Sequence, residues 1–245
     1  MSDTAESEPL SISLIIPAYN EEAYLGACLE AVQAHSKGKF SEILVVDNNS
    51  TDRTAEIATS FPGVRVVREE KKGLVYARQC GFENAKGSVI AFIDADTRLP
   101  EGWVEQIEEH FSADPNLACL SGPYQYYDIS PAHQYVVTFW YWCARPTYLV
   151  LGYMATGGNI ALRRSVVEQM HGFDTRIAFY GEDTDIAKRA HNFGRVIFTS
   201  RFTMPTSARR FKKEGLLKIG GTYLVNFVST ALVGKPINKS YTDVR

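Results

Sequence analysis

Carboxylates follow two apolar runs of the sequence, and both places suit contacts to a nucleotide. Asp47 follows the run EILVV, where its side chain can accept hydrogen bonds from a nucleobase imide or a ribose hydroxyl, although Asp favours turns in any fold. Asp94 and Asp96 follow the run SVIAFI. A solvated turn is the alternative for this pair, but two acids at the end of a buried strand are costly without a counter-ion. We therefore predict Mg²⁺ or Mn²⁺ at this pair, with phosphate oxygens and water completing its coordination.

A third acidic cluster begins a predicted helix. Glu182 and Asp183 are adjacent, and Asp185 follows two residues later. Acids in the first turn of a helix complement its dipole, so this cluster taken alone is more often structural than catalytic. Beside a nucleotide site, one of these carboxylates could instead serve as a general base.

Basic and aromatic residues offer further contacts to a ligand. Arg209 and Arg210 follow the last predicted strand, where guanidinium groups could clamp a diphosphate; an anionic acceptor, a membrane surface or a solvated face are the alternatives. A group of aromatic residues could stack on a sugar or dip into a lipid interface, although core packing is the more frequent role. This group comprises Tyr124, Tyr126, Tyr127, Phe139, Trp140, Tyr141 and Trp142.

The elements that must position these residues alternate between strand and helix over the first hundred residues. Apolar strands joined by helices predict a parallel sheet covered on both faces, with ligands bound beyond the carboxyl ends of the strands. The loops 17–22, 47–52 and 94–97 should therefore surround one crevice. The predicted strands are 11–16, 42–46, 64–67 and 88–93, and the predicted helices are 21–34, 51–60 (capped by Ser50 or Thr51) and 73–85.

The pattern is less regular in the second half. A run rich in aromatics begins at Pro131 and is predicted to be helical until Pro146, since proline disrupts helix interiors. The other predicted elements are a helix at 101–111, a strand near 117–126, a short strand at 159–162, a helix within 181–193, a last strand at 195–198 and a terminal helix from Ser207.

Composition restricts the class of protein further. The 245 residues carry a net charge of −2, which argues against a general nucleic-acid partner. The four cysteines are scattered, so neither a zinc site nor a disulfide framework is predicted. The first ten residues lack the features of a signal peptide, and no run of about 20 apolar residues is present. We expect a cytoplasmic protein, with peripheral contact to the membrane as a further option.

Five segments, in order, resemble the family-2 glycosyltransferases, whose fold is called GT-A. The resemblance implies an α/β fold with a Rossmann-like, mostly parallel central sheet flanked by helices, to which we add a C-terminal helical extension. Each motif alone is weak, but five in this order are specific. The segments are PAYNEE (Pro17–Glu22), VVDNNSTD (Val45–Asp52), GLVYARQCGFENAKGSVIAFIDAD (Gly73–Asp96), TGGNIALRRSVVEQMHGFD (Thr156–Asp174) and GEDTDIAKR (Gly181–Arg189).

The resemblance implies an inverting enzyme that moves one sugar from a nucleoside-diphosphate sugar, with a UDP-sugar favoured, to a saccharide or lipid-linked acceptor. Asp183 matches the catalytic base of the family, and Glu182 lies beside it. Asp96 matches the usual ligand of Mn²⁺ or Mg²⁺. The residues expected at the nucleotide are Pro17, Ala18, Tyr19, Glu21, Asp47, Arg78, Asp94 and Ala95, and those considered for the diphosphate or acceptor are Arg209, Arg210, Gly158 and Asn159.

The local sequence pattern and the resemblance together predict the domain organisation. We expect a disordered tail over residues 1–10, a catalytic domain over 11–205 and a basic, then apolar, helical extension over 206–245. Within the catalytic domain, residues 11–100 would bind the nucleotide and residues 101–205 the acceptor.

Some positions depart from the family pattern. Asn48 replaces a frequent acid, and no third metal ligand is evident near Thr199–Thr206. The Q-x-x-R-W motif of processive synthases is absent, which favours transfer of a single sugar. The alternatives are a catalytically silent module of the same fold, which the retained acids argue against, and a dinucleotide enzyme, which the missing G-x-G-x-x-G argues against.

Overall fold

The structure of the protein is a computed structural model, and it describes residues 10–177, 179–215, 220–222, 225–226, 229 and 237. Almost all of the predicted tail and most of the predicted C-terminal extension lie outside these residues. Within the described ranges, no helix combines the length and the apolar character needed to cross a bilayer.

A mostly parallel, seven-stranded sheet forms the centre of the molecule, as predicted. Its strand order is β3-β2-β1-β4-β7-β5-β8, and only β7 runs antiparallel to its neighbours. Strands β6 and β9 pair in parallel outside this sheet. The strands are β1 (Ile12–Ala18), β2 (Glu42–Asp47), β3 (Val64–Arg68), β4 (Val89–Ile93), β5 (Leu117–Ser121), β6 (Tyr124–Tyr126), β7 (Asn159–Arg163), β8 (Arg195–Phe198) and β9 (Met204–Thr206).

Helices cover both faces of the sheet because successive residues of each strand point to opposite sides. In β1, Leu14 and Ile16 pack in the cluster that includes α1, α2 and α4, whereas Ile15 packs in the cluster that includes α3, α6 and α7. The helices are α1 (Leu25–His35), α2 (Thr54–Ser60), α3 (Leu74–Asn84), α4 (Trp103–Ala113), α5 (Pro131–Leu151), α6 (Arg164–Gln169), α7 (Glu182–His191) and α8 (Arg209–Glu214).

Three predictions about these elements were wrong. Helix α5 continues past Pro146 to Leu151, and because Pro146 is exposed, water can reach the carbonyl group that its ring deprives of a partner. Helix α2 begins at Thr54 rather than 51, since Asp52 accepts hydrogen bonds from the amide and hydroxyl of Thr54. The strand predicted near 117–126 is two strands in different sheets, and β9 and α6 were not predicted.

Gly122 explains why that strand divides. A Cβ atom at Gly122 would lie 1.9 Å from the carbonyl oxygen of Phe202, so the backbone approaches more closely than any side chain would allow. The chain then leaves the central sheet through Pro123 and pairs β6 with β9. This separation places Tyr124 and Tyr126 beside the ends of the parallel strands.

Candidate active site

The first two predicted loops meet at the carboxyl end of the sheet. The amide of Asn20 donates to the hydroxyl of Ser50 over 3.0 Å, and its side-chain oxygen accepts from the amide of Thr51 over 2.9 Å. The amide of Glu21 donates to Thr54 over 2.7 Å. The carboxyl ends of β1 and β2 therefore form one side of a crevice, as the alternation of strands and helices predicted.

A shallow, open cleft lies beside these loops. Asn48 is fixed at its edge, because its side chain donates to the carbonyls of Glu69 and Lys71 and accepts from the amide of Gly73. The Lys72 ammonium lies 4.0 Å from the centre of the Tyr19 ring. The cleft is lined by Pro17, Ala18, Tyr19, Asn48, Lys72, Gly73, Leu74 and Ala77.

Asp47 is both a turn residue and a residue beside the cleft. Its carboxylate accepts a hydrogen bond from the amide of Ser50 over 3.1 Å, as a turn residue does. It is also the last residue of β2, and it pairs with Ala18 of β1, which lines the cleft. Its contact with a nucleobase stays a prediction.

Asp94 is held by a tyrosine that the sequence did not single out for this purpose. The hydroxyl of Tyr124 donates to the Asp94 carboxylate over 2.8 Å and accepts from the amide of Gly158 over 2.9 Å. A Cβ atom at Gly158 would lie 2.0 Å from that carboxylate, so only glycine permits this approach. Ala95, by contrast, packs its methyl group into the core, which leaves only its backbone for contacts to a ligand.

Asp96 meets two residues that are remote in the sequence. The Nε atom of Arg209 lies 2.9 Å from its carboxylate, and the hydroxyl of Thr206 donates to it over 3.3 Å. The remaining guanidinium nitrogens of Arg209 donate to both oxygens of Glu21 over 2.8 and 2.6 Å. Glu21, expected at the nucleotide, thus orients Arg209 beside the predicted metal ligand.

The charges in this cluster fit a divalent cation. Burial, together with the charges of Asp94 and Glu21, raises the pKa of Asp96 to about 7 against the opposing charge of Arg209. With Glu182 included, the carboxyl groups outnumber the two arginines that pair with them, Arg78 and Arg209, and carboxylate oxygens are ligands that Mg²⁺ and Mn²⁺ accept. In the described part of the chain, no three His, Cys, Asp or Glu side chains form a metal-binding group. A metal held by Asp96 would therefore take its other ligands from the diphosphate and from water.

Arg78 connects this cluster to the acids of α7. It is 1% exposed, one of its terminal nitrogens donates to Glu182, and the other lies 3.7 Å from Asp94. Its Nε atom has no hydrogen-bond partner among the described residues. Arg78 was expected close to the nucleotide. In the structure its side chain is buried, and it pairs with Asp94 and Glu182.

The first turn of α7 presents the predicted catalytic pair. The amide of Thr184 donates to Asp183 Oδ1 over 2.8 Å, and the described residues provide no hydrogen bond to Oδ2. Burial raises the pKa of Asp183, while that hydrogen bond and the charge of Arg78 oppose the rise. Burial also raises the pKa of Glu182 to about 8, against Arg78 and with the charges of Asp183 and Asp94. A raised pKa makes the carboxylate of Asp183 a stronger base, whereas Glu182 is largely protonated at neutral pH.

We expect the stability of the ligand-free protein to fall as the pH rises from about 5 to 8. Glu182 keeps its proton in the folded state over this range but loses it in the unfolded chain near its ordinary pKa of about 4.3. The folded state therefore binds more protons than the unfolded state, and the free energy of unfolding decreases as the pH rises. Melting temperatures across this range should fall for the wild type and fall less steeply for Glu182→Gln. A wild-type melting temperature that rises with pH would contradict the assignment.

Two residues considered for the diphosphate or acceptor have other contacts. Asn159 is fully buried, and its side chain accepts from the Trp103 indole and donates to the carbonyls of Gly122 and Phe202. Arg210 pairs with Glu214 at 3.5 Å within α8. The structure thus brings Arg209 and Gly158 to the acidic cluster and gives Asn159 a structural position.

Comparison with solved structures defines the class of fold. The mannosyltransferase PcManGT from Pyrobaculum calidifontis, in complex with GDP-Man and Mn²⁺, superposes with a TM-score of 0.68 at 21% identity, covering 91% of this chain and 64% of that one. Glucosyl-3-phosphoglycerate synthase from Mycobacterium tuberculosis, in complex with Mn²⁺, UDP and phosphoglyceric acid, gives a TM-score of 0.66 at 19% identity, covering 92% and 78%. The fold is that of the GT-A glycosyltransferases, which confirms the predicted fold class.

The sequence itself identifies the family. Residues 13–170 match the family described as glycosyl transferase family 2, and the chain belongs to this family. Glycosyltransferase AglE of Haloferax volcanii is 39% identical over 102 residues, which cover 39% of this chain and 33% of that protein. The probable glycosyltransferase YdaM of Bacillus subtilis is 29% identical over 201 residues, covering 75% and 47%. The chain thus spans less than half the length of these two relatives.

Proposed function

We propose that this chain is a metal-dependent, inverting glycosyltransferase that moves one sugar from a nucleoside-diphosphate sugar to an acceptor hydroxyl or a polyprenyl phosphate. The observation that carries the proposal is the contact of Arg78 with both Asp94 and Glu182. These acids belong to the loop after β4 and to the start of α7. The buried arginine therefore joins the proposed metal-binding loop to Glu182, the residue directly before the proposed catalytic base Asp183.

The donor would lie across the carboxyl ends of β1, β2 and β4. The cleft beside Tyr19 would receive the base, Asp47 would accept hydrogen bonds from it, and Asp94 would face the ribose. Two superposed proteins were solved with a nucleotide and a metal, GDP-Man with Mn²⁺ and UDP with Mn²⁺, which supports ligands of these kinds for this fold. A UDP-sugar is the favoured donor.

Transfer would be a single displacement at the anomeric carbon. When bound, the divalent cation would neutralise charge on the departing diphosphate. Arg209, which Glu21 holds beside Asp96, would place a second positive charge there. Asp183 would take the proton of an acceptor hydroxyl through Oδ2. The oxygen would then bond to the anomeric carbon as the bond to the diphosphate breaks on the opposite face, so the product has the inverted configuration.

Replacing Asp96 tests the metal-dependent part of this proposal. We expect Asp96→Asn to weaken Mn²⁺-dependent binding of UDP or GDP by more than about tenfold, since even the outer partners of metal ligands have effects of this size. Isothermal titration with Mn²⁺ and with EDTA would measure the change. Asp114→Asn is the matched control, because Asp114 pairs with Arg195 away from the acidic cluster. Equal Mn²⁺-dependent affinities for wild type and Asp96→Asn would remove Asp96 from the metal site.

A further inference from the structure

One helix of the protein presents a row of large apolar side chains to solvent. Positions 135, 139, 142, 146 and 149 of α5 follow in steps of four and three residues, which places them on one face. Trp142 is 67% exposed and Leu149 71% exposed, and Tyr135 and Phe139 are also exposed. Val150, at 85%, widens the row at its C-terminal end. We call these side chains the α5 stripe.

The α5 stripe is long and narrow. A helix of 21 residues extends about 30 Å, and the stripe follows most of it. The rings of Phe139 and Trp142 stack with their centroids 6.0 Å apart, so the aromatic part forms a continuous surface. Exposed apolar patches of this kind are typical of surfaces that bind a membrane or another protein.

The sequence of α5 carries little charge, and the short helix near its N-terminal end is basic. Helix α5 contains no acidic residue, and its sequence has a single formal charge, at Arg145. The basic helix α8 adjoins its N-terminal end, because Lys212 lies 2.9 Å from Asp128, two residues before the N-cap Ser130. Lys213, the next residue of α8, is exposed.

We propose that the α5 stripe docks on a lipid bilayer, with the helix lying in the plane of the interface and the lysines of α8 near anionic headgroups. Tyr and Trp combine an apolar ring with a polar group, which suits the boundary between headgroups and acyl chains. Basic residues beside such a helix add attraction to anionic lipid. A partner helix is less well matched, since Pro146 and bulky aromatics interrupt the regular knobs-into-holes surface that it would need.

Vesicle flotation tests this proposal directly, with the full chain and vesicles of phosphatidylcholine with or without phosphatidylglycerol. We expect the wild type to float with the anionic vesicles, and Phe139→Glu/Trp142→Glu to partition at least about tenfold less. Leu149→Glu, farther along the stripe, gives a second variant with the same expected direction. Phe193→Glu is the matched control and should float like wild type, because Phe193 is an exposed aromatic residue beyond the end of α7.

Three results would overturn the proposal. The wild type could remain unbound with both vesicle types, or the α5 variants could float as well as the wild type. In the third result, the wild type would not bind vesicles but would form a dimer, and the α5 variants would be monomers. The stripe would then contact a second copy of the chain. The proposal does not depend on transferase activity. The melting temperature and nucleotide-induced stabilisation of each variant, measured in parallel, separate a failure of this inference from a failure of the proposed function.

Discussion

Asp183→Asn is expected to lower the rate of sugar transfer by about 10²–10⁴-fold, the usual contribution of a positioned general base. Asparagine keeps the shape of the side chain and can still accept the hydrogen bond from the Thr184 amide, but it cannot take a proton. Binding of the donor should be unchanged, because the cleft beside Tyr19 and the cluster around Asp96 are separate contacts. Single-turnover transfer and donor titration measure the two effects separately.

Asp185→Asn is the control for this experiment. Asp185 lies on the same helix and pairs with Arg189 at 3.5 Å, so its replacement removes a carboxylate from α7 without touching the proposed base. We expect it to retain most of the activity. Transfer by Asp183→Asn at near the wild-type rate would show that another group accepts the proton.

Arg78→Met is expected to destabilise the fold by about 3–5 kcal/mol, the usual loss when one partner of a buried ion pair is removed. Methionine fills much of the space along the arginine side chain but leaves Glu182 and Asp94 without their shared counter-ion. Burial already raises the pKa of Glu182, and without Arg78 its carboxylate would be harder still to ionise. Urea unfolding at pH 9, above the pKa of about 8 at which Glu182 ionises in the wild type, measures the loss of stability.

Two further variants test whether the loss of stability comes from the buried charges or simply from removing an arginine. Arg176 is 89% exposed in its side chain and pairs with Asp174, so Arg176→Met should change stability by no more than about 1 kcal/mol. The double variant Arg78→Met/Glu182→Gln should regain part of the lost stability, because it also removes one unpaired carboxylate. A loss below about 1 kcal/mol for Arg78→Met would contradict its role as a buried counter-ion.

Local patterns were sufficient to predict most of the fold. Apolar runs such as 43–46 and Val89–Ile93 have no polar interruption, so they predict central parallel strands, and both lie in the sheet. The ends of these strands then locate Asp47, Asp94 and Asp96 without further information. Element boundaries were predicted less accurately. The start of α2 depends on the hydrogen bonds of Asp52, and the continuation of α5 depends on the exposure of Pro146, and neither can be seen in a sequence pattern.

The long-range contacts of the site could not be predicted from spacing. The guanidinium group of Arg209 joins Glu21 to Asp96, whereas the sequence alone suggested that it meets a diphosphate, an anionic acceptor, a membrane surface or solvent. Tyr124 gave only the general signal of an aromatic residue, and its hydrogen bond to Asp94 depends on the departure of the chain at Gly122. Asn159 was considered for the diphosphate or acceptor, but its side-chain amide donates to two buried backbone carbonyls instead.

The central claim is that this chain binds a nucleoside diphosphate through a divalent metal, and its melting temperature with UDP, GDP or dTDP, each with Mn²⁺ or EDTA, tests it most directly. A ligand at about 100 times its dissociation constant adds roughly 2.7 kcal/mol, equivalent to about 5–10 °C for a chain of this size. We predict a shift of this size for one nucleotide, with UDP favoured, that requires Mn²⁺. The absence of a shift with every nucleotide at millimolar concentration would contradict the claim and favour a silent module of the same fold.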